Sequence, residues 1–95
     1  RCSPKELEAR YSKRAYSNKK IKDNISSEIL DICFASALRS FGPSTIAEFD
    51  TTERQPNDIA KDIRLVWSGD AKRSFGKINW LSEIFTEDLI KKYLD

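Results

Sequence analysis

Ile25 to Phe41, ISSEILDICFASALRSF, is the stretch on which the reading of the whole chain turns. At about 100° per residue, Ile25, Ile29, Ile32 and Cys33 fall on one face, and Leu30, Phe34, Ala37 and Phe41 on another. An arc that wide predicts a central helix packed on two sides, with Cys33 as a small buried hydrophobe. Gly42-Pro43 ends it. Glycine accepts left-handed geometry just past a helix end, and proline suits the first turn of a new helix.

Towards the N-terminus, Ser3 and Glu6 stand at capping-box spacing around Pro4. Leu7, Tyr11 and Ala15 then recur as a narrow apolar stripe beside Arg10, Lys13 and Arg14. Residues 18–23 break that pattern. Towards the C-terminus, Thr45 and Glu48 share capping register, which predicts a short helix through Phe49. Residues 50–56, DTTERQP, read as a loop. Asn57 or Asp58 opens a helix with Ile59, Ile63, Val66 and Trp67 on one face, and Gly69-Asp70 stops it. Residues 72–77 read as a loop. Ile78, Leu81 and Phe85, with Trp80 and Ile84 alongside, make the next helix. Thr86 caps a last one through Leu89, Ile90, Tyr93 and Leu94. Leu65-Val66-Trp67 has strand character but no second run to pair with.

The predicted fold is therefore all-α, a compact bundle of five or six short helices. It divides into a basic N-terminal helix or arm, residues 1–22, and a helical body, residues 23–95. The 95 residues and 11.0 kDa suit one domain. With Arg1 as its first residue, the chain is expected to belong to a longer protein.

Composition narrows the chemistry. There is no histidine, so the usual general base and commonest metal ligand are missing. Two cysteines are too few for a disulfide framework or a structural zinc site. No Gly-rich phosphate loop, CxxC pair, HExxH or calcium loop occurs. Asp58 and Asp62 share a helical face, but Lys61 and Arg64 flank them as on a solvated surface. These absences predict a non-enzymatic domain with no cofactor, no metal and no small-molecule substrate. No apolar run approaches a membrane span and no secretory segment opens the chain, so an intracellular protein, cytoplasmic or nuclear, without membrane contact is expected.

Charge is unevenly spread. Residues 1–22 carry eight Lys/Arg against Glu6 and Glu8, while 23–95 carry nine against thirteen Asp/Glu. In the arm, Arg10, Lys13, Arg14, Lys19, Lys20 and Lys22 interleave with Tyr11 and Tyr16. In the 72–77 loop, Lys72, Arg73 and Lys77 surround Ser74, Phe75 and Gly76. Cations in such arrangements contact phosphates, and tyrosine adds a hydroxyl or a stacking face. The expectation is a non-catalytic nucleic-acid-binding domain, DNA before RNA, gripping the phosphate backbone through both clusters. No helix-turn-helix register fits, since Ala47 would put Asp50 and Ala60 would put Asp70 at positions that must be apolar. The alternative is a helical adaptor that meets a protein partner or a second copy of itself through opposite charges.

Overall fold

The computed structural model describes residues 1–94; residue 95, the end of the expected 23–95 body, lies outside them. Six α-helices and one 3-10 turn make up the regular structure, and no strand occurs among the described residues. The helices are α1 (Pro4–Ser12), α2 (Asn18–Ile29), α3 (Ile32–Phe41), α4 (Pro56–Trp67), α5 (Trp80–Glu83) and α6 (Glu87–Leu94), with the 3-10 turn at Pro43–Thr45. The all-α bundle expected from the sequence is the fold observed. No helix of the described residues is long and apolar enough to cross a membrane.

The signals that start and stop these helices act as their chemistry dictates. The Ser3 side chain accepts a hydrogen bond from the Glu6 backbone N–H at 3.4 Å, with Pro4 in the first turn. Ser17 accepts from Lys20 N–H at 3.2 Å to open α2, and Thr86 accepts from Leu89 N–H at 3.4 Å at the start of α6. Gly42 follows α3 with φ 77°, a left-handed value that glycine takes without a Cβ clash.

Helix α2 is the axis. It packs against α1, α3, α5 and α6. Ile25 and Ile29 on its inner face are 1% and 2% exposed and join Trp80, Ile84 and Tyr93 in one buried cluster. Leu7, Tyr11, Ile21, Ile78, Leu89 and Leu94 close around it. Each isoleucine so buried contributes about 1.5–3 kcal/mol.

Three elements differ from the sequence expectation. Residues 18–23, read as a break in the pattern, are the first half of α2, opened by the Ser17 cap. The stretch Ile25–Phe41 is two helices, because Asp31 between α2 and α3 stands at φ 58° and turns the chain. The left-handed residue costs about 1 kcal/mol. Its carboxylate contacts the Arg1 guanidinium in return. The break directs Ile32 and Cys33 outward, so Cys33 is exposed and Cys2 is the buried cysteine. Burial pushes the Cys2 thiol pKa up. The predicted helix through Phe49 is also absent. Past Thr45 the backbone extends, with Ile46 at φ −108° and ψ 139°.

Candidate functional site

Behind the ends of these helices lies a charged knot. The Arg1 guanidinium donates to Glu28 Oε1 at 2.7 Å and Glu48 Oε2 at 2.5 Å, and also contacts Asp31. Burial alone would lower its pKa, and the hydrogen bonds from Glu28, Asp31 and Glu48 outweigh that and raise it. Glu28 Oε1 also accepts from the Trp80 indole N–H at 2.9 Å and from Cys2 N–H at 3.1 Å. The Glu48 carboxylate accepts from Gly76 N–H at 2.6 Å, tying the 72–77 loop to the same knot. This arrangement is structural: every buried polar side-chain atom among the described residues has a partner.

A cleft of about 840 Å³ opens between α1, the 51–55 segment and α4. Glu6 and Arg10 line it from α1, Thr51, Thr52 and Arg54 from the connecting segment, and Ile59 and Ile63 from α4. A turn built by Asp50 holds Thr52 in that lining. The Asp50 carboxylate accepts from Thr52 N–H at 3.0 Å and from the Thr52 hydroxyl, which itself accepts from Ser3 N–H at 3.0 Å. The Arg10 guanidinium crosses the cleft wall, donating to Thr51 O at 2.8 Å and to Glu6 at 3.2 Å, and remains partly exposed. Arg54, also in the lining, is held by Asp62 at 2.5 Å. The lining thus combines two arginines, each paired with a carboxylate, with the aliphatic Ile59 and Ile63 of α4.

The nine cations singled out in the sequence are held in different ways. Lys13 and Arg14 are exposed in the turn after α1. Lys19 pairs with Asp23 at 3.0 Å, Lys20 sits 4.3 Å over the Tyr16 ring, and Lys22 lines a small groove with Glu8 and Tyr93. Arg73 donates to Pro43 O at 2.6 Å and to Ile46 O at 2.5 Å, so its guanidinium anchors the loop while Lys72 and Lys77 stay exposed. The arm lysines occupy the first turns of α2, whereas the loop is tied through Glu48 and Arg1 to its last turn, at Glu28. Thr51, Thr52 and Arg54 lie outside the two basic clusters of the sequence, and Ile59 and Ile63 stand in it only as one apolar face of a helix. The Asp-Thr-Thr run ahead of Pro56 was the signal available. Among the described residues no His, Cys, Asp and Glu cluster is placed to hold a metal ion.

No family model matches the chain. It is similar to several archaeal proteins, each named "Putative adenylate kinase". It is 32% identical to that of Methanococcus maripaludis over 85 residues, 90% of this chain and 46% of the relative. It is 36% identical to that of Halobacterium salinarum over 80 residues, 84% of this chain and 47% of the relative. With that of Archaeoglobus fulgidus it shares 33% identity over 98 residues, 99% of this chain and 53% of the relative. The chain spans about half the length of the curated relatives it matches.

These relatives overturn the functional expectation. They carry the name of an enzyme acting on a nucleotide, which contradicts a non-enzymatic, DNA-binding domain with nucleic acid as partner and no small-molecule substrate. The physical reason the charge reading misled is visible in the contacts. Arg10 and Arg73 spend donors on backbone carbonyls of their own chain, and Lys19 on Asp23.

Proposed function

We propose that this chain is the helical part of an adenylate kinase, and that it holds an adenine nucleotide in the cleft between α1 and α4. The observation that carries the reading is the similarity to archaeal relatives of that name over 84% to 99% of the chain. In this reading a phosphate oxygen of AMP attacks the γ-phosphorus of ATP, the bond to the β-phosphate oxygen breaks, and two ADP result. Such transfer depends on positioning and charge stabilisation more than on covalent help from the protein, so a lack of histidine is no obstacle. The Gly-rich cradle such chemistry uses is not in this sequence. The reading assigns it to the part of the protein that corresponds to the other half of the relatives.

The cleft supports a division of labour. Arg10 offers a planar cation on which a purine can stack, Ile59 and Ile63 supply the apolar face, and the Thr51 and Thr52 region supplies polar edges. Lys13 and Arg14, exposed one turn beyond Arg10, carry donors that reach phosphate oxygens. A phosphorylated adenine nucleotide as substrate also fits the expected intracellular setting.

The test is ADP formation from ATP and AMP by the full-length protein. Arg10→Ala is expected to lower kcat/KM about 100-fold, near 2.7 kcal/mol of transition-state stabilisation. A double change of Lys13 and Arg14 to Ala, at two exposed positions, is expected to lower kcat at least tenfold. Rates within twofold of the parent in both variants would remove this cleft from the site.

A further inference from the structure

We infer that Tyr16 is a positioning residue for phosphoryl transfer: its ring holds the connection between α1 and α2 in the form that presents Lys13 and Arg14 to phosphate. The inference rests on the kinase reading above and deepens it. Residues 13–17 are all that joins α1 to α2. From Ser12 to Lys20 every position is exposed except Tyr16, which is half-buried. Its ring meets the Tyr11 ring edge-on, with centroids 5.8 Å apart and planes at 60°. The Lys20 ammonium stands over it, 4.3 Å from the centroid. An edge-to-face pair and a cation over a ring face are both favourable contacts. Tyr11 is the last residue but one of α1, and Lys20 lies in the first turn of α2. A single side chain of the connection thus touches both helices.

Tyr11 carries that hold into the body of the protein. It is half-buried and packs against the cluster of Ile25, Ile29, Trp80, Ile84 and Tyr93. Backbone bonds shape the two ends of the connection. Arg14 N–H donates to Tyr11 O at 3.0 Å, and the Ser17 hydroxyl accepts from Lys20 N–H at 3.2 Å. Tyr16 falls between that turn and that cap, and its ring ties them together.

The charges show what the hold is for. Among the described residues Lys13 and Arg14 form no ion pair, whereas Arg10 is bound to Glu6 at 3.2 Å and Lys19 to Asp23 at 3.0 Å. Lys20 lies on the Tyr16 ring, so one stacking face of that tyrosine is taken by its own chain. Two neighbouring cations on long side chains repel each other, and a loose backbone beneath them would spread their heads over many positions. Cations stabilise a transferring phosphoryl group only as well as they are placed before the reaction, and an error of about 1 Å can cost about 100-fold in rate. An ordered connection supplies that placement, and Tyr16 is the side chain that orders it.

Steady-state kinetics of the full-length protein, together with NMR relaxation in the absence of nucleotide, test this. Tyr16→Ala is expected to lower kcat about fivefold and to leave KM for ATP and AMP within about twofold. Tyr16→Leu, which keeps bulk but has no ring face, is expected to match it, and Tyr16→Phe to stay within about twofold of the parent. In a chain already carrying Lys13→Ala and Arg14→Ala, adding Tyr16→Ala is expected to change kcat by less than about 1.5-fold, because the groups it places are gone. The same loss in that background as in the parent would mark a general structural role and overturns the inference, as does a Tyr16→Ala chain as active as the parent. Without nucleotide, backbone order parameters of residues 13–15 are expected to fall from about 0.85 in the parent to below about 0.6 in Tyr16→Ala, and unchanged values overturn it too. An active parent with additive losses sinks this inference alone, whereas a parent that forms no ADP sinks the kinase reading and this inference with it.

Discussion

Glu28 is the residue on which most of the buried polar structure converges. One of its oxygens receives the Arg1 guanidinium, the Trp80 indole and the Cys2 amide, while its carbonyl accepts a second Arg1 nitrogen at 3.0 Å. Removing a hub of this kind leaves donors unpaired, and that penalty exceeds the net value of the bonds themselves. Glu28→Ala is therefore expected to cost about 3 kcal/mol in urea unfolding, and Glu28→Gln, which keeps an acceptor, about half of that. Tyr93 is a second case. Burial, then the 2.6 Å hydrogen bond to Glu8 and the charge on that carboxylate, push its pKa up from 10 to about 12. A folded-state value above the unfolded one means the folded chain holds the proton longer. The stability so gained is complete below pH 10 and fades as pH rises towards about 12. Roughly 2 kcal/mol is expected to disappear across that window in the parent, with a flatter profile in Tyr93→Phe.

At the scale of elements, the break between α2 and α3 shows what periodicity reveals and what it hides. Ile25, Ile29, Ile32 and Cys33 continue one helical face in sequence, and nothing in the spacing of apolar residues distinguishes one helix from two. What divides them is Asp31 at φ 58°, whose carboxylate meets Arg1 from thirty positions away. A contact that distant leaves no trace in a local pattern. The caps were legible because they are local: Ser3, Thr86 and Gly42 act within four residues of the groups they satisfy. The cleft was half legible. Arg10 stood out by charge, but its orientation depends on Thr51 and Thr52, brought alongside α1 by the fold. The same reasoning makes a prediction about Asp31. Asp31→Ala loses both the contact with Arg1 and the short polar side chain that tolerates left-handed backbone, and is expected to cost about 2 kcal/mol. Asp31→Gly loses the contact but relieves the backbone, and is expected to cost about 1 kcal/mol. Thermal unfolding of the pair checks it: equal losses would mean that the backbone geometry carries no cost.

Across the whole molecule, the packing is unequal. Helices α1, α2, α5 and α6 share the cluster around Ile25 and Ile29, whereas α3 and α4 contribute no buried residue. Apolar face and buried face are the same thing in α2 and different things in α4, where Ile59, Ile63, Val66 and Trp67 align as the sequence predicts yet Trp67 is 91% exposed. Amphipathicity states which side of a helix needs cover; whether cover is present depends on the rest of the protein. Stability should follow burial. Ile25→Ala, at a site 1% exposed, is expected to cost 2–5 kcal/mol by the usual sum of lost transfer energy and cavity. Trp67→Ala in the same 95-residue chain removes a larger side chain from solvent and is expected to change unfolding free energy by less than about 0.5 kcal/mol. Native-state exchange should rank the elements in the same order. Amides of α2 open only with global unfolding, and those of α4 open by local fraying at far lower free energy. If α4 amides were as protected as those of α2 in this chain, the exposed face would already be covered, and the cleft it borders would be narrower than a nucleotide needs.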